Sequence, residues 1–154
     1  LSHEIDYAVW LFGFPKSVYA IGNHYTDLEI DVEDSADIML KVPSPIGDVS
    51  IRCHVDFIQS PPERFCHIIF EYGTVKWDYF ENIVHVFNSK NKIKESFKFS
   101  EFKRNDMFND ELKHFISCLE VGGKPMVSIL NGVDLLKVCV AAKDSITTGK
   151  VVVI

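Results

Sequence analysis

Residues 49–57 read Val-Ser-Ile-Arg-Cys-His-Val-Asp-Phe, an unbroken alternation of apolar and polar side chains. Because successive side chains of a β-strand point to opposite faces, this period of two predicts a strand with one face on a core. Residues 34–42 show the same alternation, with Ala36, Ile38, Leu40 and Val42 on one side. Pro43, Pro45 and Gly47 lie between the two segments and favour a turn. The sequence therefore predicts two strands joined by a turn.

Further strands are predicted on both sides of this pair. The candidate segments are residues 17–25, 64–72, 74–80, 82–87 and the short stretch 151–154. Residues 90–98 are rich in charge and are interpreted as a solvated surface loop. We therefore expect an open sheet of about six strands.

Three segments have the periodicity of amphipathic helices. Their apolar stripes are Ile5, Ala8, Val9 and Phe12; Phe108, Leu112, Phe115 and Leu119; and Leu135, Val138, Cys139, Ala142 and Ile146. Asn105 or Asp106 is the predicted N-cap of the second helix. The third is predicted to run from about residue 132 to 148 and to be well buried, and Gly149 is its predicted C-terminal glycine.

The order of these elements predicts the fold class. A helix is followed by a run of strands, two helices and a last strand, so strands cluster without helices between them. This order is typical of an α+β fold with an open, mostly antiparallel sheet and helices packed on one face. The length of 154 residues suits one domain, and no linker divides the chain.

Composition excludes several classes of function. The chain has 16 Lys and Arg against 22 Asp and Glu, a net charge of -6, which argues against nucleic-acid binding. The sequence contains no run of about 20 apolar residues, the length that a membrane-spanning helix needs. Cys53, Cys66, Cys118 and Cys139 form no CxxC pair, so we expect no metal site and reduced thiols in a cytoplasmic protein.

Both ends of the chain carry recognisable motifs. Residues 2–15 contain His3-Glu4-Ile5-Asp6 and end Leu11-Phe12-Gly13-Phe14-Pro15, and Glu33-Asp34-Ser35-Ala36 follows. The tail contains Glu111-Leu112, Gly122-Gly123-Lys124-Pro125, Asn131-Gly132, and Ala141-Ala142-Lys143-Asp144-Ser145 with Gly149-Lys150. In order and spacing these segments resemble the C-terminal domain of the glucose–fructose oxidoreductase and inositol dehydrogenase (Gfo/Idh/MocA) family. Glu71 and Asn131 depart from the family pattern, where a glycine and an aspartate are usual.

The resemblance implies that this chain is the half of an NAD(P)-dependent oxidoreductase that does not bind the nucleotide. No G-x-G-x-x-G loop occurs, and the family's E-K-P motif with its catalytic lysine is missing. We therefore expect the N-terminal Rossmann domain to be absent from this chain, which alone would hold no cofactor and be inactive. The full-length parent would use NAD or NADP on a hydroxyl or ketone of a sugar, polyol or nucleotide sugar.

His3 is the candidate catalytic residue. Oxidation of an alcohol needs a group that accepts the hydroxyl proton, and a histidine suits this role. On the residues alone, a frayed terminal histidine is the favoured interpretation; the resemblance reverses this preference for the parent enzyme. His3 and Asp6 are the candidate substrate-binding residues, with Asp6 also expected to be a structural partner near the helix start. No cofactor-binding or metal-ligating residue is expected.

The strands also predict a partner. Residues 65–72 are apolar on both faces, and an apolar face left exposed usually marks an interface. We expect a homo-oligomer formed through the open sheet face, which is also how members of the family associate. Arg52, His54 and Asp56 share a strand face and are interpreted as a solvated or interface surface. The alternative to the enzyme half is a free-standing dimeric α+β module that binds a ligand without redox chemistry.

Overall fold

The computed structural model describes residues 2–154. In chain order its elements are α1 (Ser2–Phe12), β1 (Ser17–Asn23), β2 (Ser35–Val42), β3 (Val49–Asp56), β4 (Phe65–Phe70), β5 (Gly73–Asp78), β6 (Ile83–Asn88), β7 (Ile93–Lys98), α2 (Arg104–Val121), α3 (Ile129–Thr148) and β8 (Val152–Val153). Every strand pairing in this part of the chain is antiparallel. The predicted α+β class is confirmed.

The chain divides into two compact units. The first comprises the residues up to Ile58 together with Met126–Ile154, and the second is Gln59–Pro125. Each holds a four-stranded sheet, in the order β3-β2-β1-β8 in the first and β4-β5-β6-β7 in the second. The sequence predicts one sheet, and the strands instead divide where Pro61 and Pro62 cannot donate the amide hydrogen bonds that would continue a ladder.

The core of the first unit lies between its sheet and two helices. Helix α3 packs on β1 and β8, and α1 packs on α3 and β3, so both helices cover the same face as predicted. The buried residues of this core are Ile5, Ala8, Val18, Ala20, Ile38, Leu40, Cys53, Val138, Ala141 and Ala142. The register aligns Ala20, Ile38 and Cys53 across three strands, so the alternation seen in the sequence gives one continuous apolar face.

Two predicted boundaries are wrong. Residues 93–98 form strand β7 and not a loop, because Ile93 and Phe97 alternate with lysines and the whole segment pairs with β6. Helix α3 begins at Ile129, three residues before the predicted start. The hydroxyl of Ser128 accepts a hydrogen bond from the amide of Asn131, and Oδ1 of Asn131 accepts one from the amide of Ser128, so a capping box fixes the start.

The helices differ from prediction in burial and capping as well. The N-cap of α2 is Lys103, which makes no side-chain cap, and Asn105 and Asp106 lie inside the first turn. Its apolar stripe is exposed, with Leu112 and Leu119 at 58% and 68% exposure. Helix α3 is buried on one side only, since Leu136 on the other side is 60% exposed. Periodicity predicted these helices correctly, but it could not show how much surface each would bury.

Candidate functional site

His3 and Asp6 lie at the start of α1 on its solvent-exposed side. On a helix, residues three, four and seven positions apart share a face, so His3 and Asp6 lie beside Tyr7 and Trp10. Trp10 is 80% exposed and Tyr7 is half-buried. We call these four residues the outer face of α1. The structure therefore brings both predicted site residues together on one surface with two aromatic side chains.

The opposite side of α1 fixes the helix in place. Ile5 and Ala8 are buried where α1 packs on α3 and β3. The helix ends where the amide of Gly13 donates to the carbonyl of Val9 at 2.8 Å, with Gly13 at a φ of 93°. Because glycine has no Cβ, it adopts this left-handed conformation at little cost. His3 is thus displayed on an anchored helix.

A second polar cluster lies on the uncovered face of β2 and β3. The Oδ1 atom of Asp37 is 3.1 Å from Nε of Arg52 and 3.1 Å from Nδ1 of His54. The other ring nitrogen of His54 lies 3.2 Å from a carboxylate oxygen of Asp56. Two basic side chains are therefore matched by two carboxylates on a surface. This arrangement fits the predicted solvated face, and the sequence missed only Asp37, which the register places opposite His54.

The described residues hold neither a metal-ligand cluster nor a disulfide. Within residues 2–154 no group of three or more His, Cys, Asp or Glu side chains could hold a metal ion, and the cysteines form no disulfide. Burial raises the pKa of the Cys66 and Cys139 thiols, which disfavours the nucleophilic thiolate. No helix in the same part of the chain is long and apolar enough to cross a membrane.

The Glu-Asp-Ser-Ala motif has a structural role. The Asp34 side chain is fully buried and accepts hydrogen bonds from the amides of Tyr25 and Thr26 at 2.9 and 2.8 Å. The Thr26 hydroxyl donates a further bond at 2.7 Å. Burial favours the neutral acid, but these donors outweigh it and lower the pKa of Asp34 below its ordinary value. Asp34 therefore holds the loop between β1 and β2 in place.

The Ala-Ala-Lys-Asp-Ser motif of α3 is also structural. The hydroxyl of Ser145 accepts from the amide of Ala20 at 2.8 Å and donates to the carbonyl of Lys150 at 2.6 Å. Nζ of Lys143 lies 2.6 Å from Oε2 of Glu33, and this hydrogen bond lowers the pKa of Glu33. The two motifs meet here, and together they tie α3 to β1 and to the loop before β2.

An open groove of about 350 Å³ runs between α3 and β8. Its lining residues are Val133, Leu136, Lys137, Val140, Ala141, Asp144, Val153 and Ile154. Lys137 already forms a hydrogen bond at 2.8 Å with Asp134. A binding site for a polar small molecule usually brings several polar groups together, and this groove does not. The outer face of α1 is therefore the better candidate site.

Comparison with known proteins agrees with the fold and with the motifs in the N-terminal half of the chain. Residues 1–76 match the family described as the GFO/IDH/MocA C-terminal domain. No curated protein matches the chain by sequence. Among solved structures, the chain is similar to the WlbA dehydrogenase from Bordetella pertussis in complex with NADH and UDP-GlcNAcA, at 25% identity and a TM-score of 0.73, with 99% of this chain and 44% of that one covered.

Two other solved structures share the fold. An oxidoreductase from Agrobacterium radiobacter in complex with NAD+, L-tartaric acid and magnesium aligns at 18% identity and a TM-score of 0.80, covering 99% of this chain and 47% of its own. Aldose-aldose oxidoreductase from Caulobacter crescentus complexed with glycerol aligns at 20% identity and a TM-score of 0.78, covering 99% of this chain and 45% of its own. The family match covers residues 1–76, just under half of the chain, and the fold agrees with these solved structures over nearly the whole chain. The chain spans less than half the length of these solved proteins.

The Ser145 contacts generate a stability prediction. Replacing Ser145 with Ala leaves the buried amide of Ala20 and the carbonyl of Lys150 without this partner, so the free energy of unfolding should fall by about 1–3 kcal/mol. Thr147 is the matched control, because it is exposed and its hydroxyl donates to the carbonyl of Lys143 within α3. Thr147→Ala should change stability by less than about 0.5 kcal/mol. Urea unfolding of the three proteins checks this, and equal effects of the two changes would contradict it.

Proposed function

We propose that this chain is the substrate-binding and oligomerisation half of an NAD(P)-dependent oxidoreductase that acts on a hydroxyl or keto group of a sugar, polyol or nucleotide sugar. The observation that carries the proposal is the display of His3 and Asp6 on the exposed side of an anchored helix. A histidine buried in the core could not reach a substrate, and one on a mobile tail could not be positioned.

His3 has the chemistry that the proposal requires. During alcohol oxidation the substrate hydroxyl loses a proton, and a neutral imidazole can accept it. Asp6 lies one turn further along the same exposed side, where its carboxylate can accept a hydrogen bond from a neighbouring substrate hydroxyl. The two residues would thus bind and orient the alcohol while His3 accepts the proton.

The nicotinamide cofactor does not fit this chain. Its eight glycines never fall in the G-x-G-x-x-G pattern that brings backbone amides close to a pyrophosphate. When bound, the dinucleotide supplies the hydride acceptor or donor. The proposal therefore assigns the dinucleotide to a separate nucleotide-binding domain and leaves this chain inactive by itself.

Relatives support the substrate class. The Bordetella dehydrogenase, at 25% identity, is bound to UDP-GlcNAcA, and the Caulobacter enzyme is an aldose-aldose oxidoreductase. Nucleotide-linked or acidic sugars are therefore the favoured substrates of the parent. The exposed aromatic ring of Trp10, on the same face as His3, suits contact with the apolar face of a sugar ring.

We further propose that the protein is a cytoplasmic homodimer. The two copies would meet through the open face of the β4–β7 sheet that carries Phe70 and Phe97. Phe70 on β4 is 55% exposed and Phe97 on β7 is 48% exposed, and no residue of β4–β7 is buried in the described chain. A monomer with so much exposed apolar surface would gain about 25 cal/mol for each Å² that a second copy covers.

We expect the chain to be a dimer in solution. Light scattering should report twice the mass of 17.6 kDa at micromolar concentration. Phe70→Asp should give a monomer, because it buries a charge in the interface. Val127→Asp, at an exposed apolar position outside the strands, should leave the dimer intact. A wild-type monomer at high micromolar concentration would count against this assembly.

The catalytic role of His3 is tested in a two-domain protein. Fusing the nucleotide-binding half of the Bordetella dehydrogenase ahead of this chain supplies the domain that binds the cofactor. His3→Ala should then lower turnover by about 10²–10⁴-fold, the range for loss of a general base, with cofactor affinity unchanged. His114→Ala, on α2, is the matched control and should retain full turnover. Turnover of the His3 variant within about threefold of the parent would exclude this role and favour the ligand-binding module.

A further inference from the structure

A row of basic and hydroxyl side chains crosses the sheet of the second unit. The register places His67 opposite Lys76, Lys76 opposite His85, and His85 opposite Ser96. Directly opposed residues of antiparallel strands lie about 5 Å apart on the same face, so the four form a line across β4–β7. We call them the basic row. They are 9 to 11 positions apart in the sequence, so no continuous basic segment predicts them.

The face that carries the basic row has an excess of positive charge. Lys94 and Lys98 lie on it as well, since they alternate with residues of the other face along β7. Asp78 is the one acidic residue at its strand positions, and its side chain accepts hydrogen bonds from the amides of Phe80 and Glu81 in the adjoining turn. The chain as a whole carries a net charge of -6, so this face has the opposite sign.

The lysines of this face are not neutralised within the chain. Lys16, Lys137 and Lys143 each form an ion pair with a nearby carboxylate. In the described part of the chain, no such pair involves Lys76 or its neighbours on β7. Nζ of Lys76 instead lies 5.5 Å from the centroid of the Phe65 ring. Its charge is therefore available to a ligand.

The row also supplies directional groups. Nδ1 of His85 lies 2.7 Å from the hydroxyl oxygen of Ser96, which orients the imidazole across β6 and β7. A neutral imidazole has one N–H and a hydroxyl has one O–H, so this contact leaves either His85 or Ser96 able to donate to a ligand oxygen, and His67 can donate on the other side of Lys76. Phosphate groups present several such oxygens, and lysine binds them as a point charge.

Apolar side chains flank the row on the same face. Phe65 and Ile69 lie two positions before and after His67 on β4, and Phe87 lies two positions after His85 on β6. All three are exposed, at 50%, 75% and 41%. A ligand bound along the row would therefore contact cationic groups at its centre and apolar or aromatic surface at its edges.

We propose that this face of the β4–β7 sheet binds a small phosphate-bearing anion, with Lys76 at the centre of the site between His67 and His85. The unpaired charge of Lys76 attracts the phosphate, His67 and one member of the His85–Ser96 pair donate to its oxygens, and the flanking Phe65 and Phe87 rings contact a planar group attached to it. The site lies in the second unit and requires no contribution from His3, so it stands independently of the proposed reaction.

The test is calorimetric titration of the 154-residue chain with inorganic pyrophosphate and, separately, with uridine diphosphate. Lys76→Gln should weaken binding of both by at least about tenfold, the effect of losing one charge-assisted contact. Lys124→Gln removes the same charge from an exposed loop and should change the affinity by less than about twofold. Unchanged melting temperatures would show that both variants are folded.

The outcomes separate the sources of phosphate. Tighter binding of uridine diphosphate supports a nucleotide held by the aromatic flanks, and equal binding of the two supports a site for phosphate itself. The proposal is overturned if the wild-type chain binds neither ligand, or if Lys76→Gln and Lys124→Gln weaken binding equally. It is also overturned if a short single-stranded DNA binds more tightly than either ligand, because the face would then be a nucleic-acid surface.

Discussion

The close packing of α3 on β1 determines the architecture of the first unit. Small residues make it possible: Ala141, Ala142 and Ser145 are buried on α3, and a Cβ on Gly22 would lie 3.1 Å from the side chain of Ile146. Because the helix and the strand lie so close, the Ser145 hydroxyl can accept a hydrogen bond from the amide of Ala20 in β1. Ala20 lies beyond the two residues of β1 that pair with β8. Because α3 is held on the sheet in this way, its contacts with α1 and β8 are fixed as well.

The display of His3 follows from this packing. Helix α1 buries Ile5 and Ala8 between α3 and β3, so its opposite side must face away from the core. The motifs around Glu33 and Ser145 maintain the same arrangement through the hydrogen bonds of Lys143 with Glu33 and of Ser145 with Ala20. The residues behind the family resemblance therefore mainly hold the helices and strands of the first unit together. The proposed chemistry depends on the few residues that this framework exposes.

Much of the first unit could be predicted from the sequence. The alternation around Ile38 and Cys53 and the helical spacing of Ile5 and Ala8 are strong periodic patterns, and each residue lies in the core. Properties that depend on register or on tertiary contact could not be predicted. The partnership of His54 with Asp37 and the line formed by His67 and its cross-strand neighbours exist only once strands are paired. Strand β7 was not predicted from the sequence. Its two apolar residues, Ile93 and Phe97, are separated by charged and polar ones, so the segment reads as a charged loop.

We propose that this chain supplies the substrate side of an oxidoreductase and no part of the nucleotide cradle. Titration of NADH into the isolated chain, followed by nicotinamide fluorescence, tests this claim most directly, with the fusion to the Bordetella nucleotide-binding half as the positive control. We expect saturable binding to the fusion and none to the isolated chain at micromolar cofactor. Micromolar affinity of the isolated chain for NADH would contradict it.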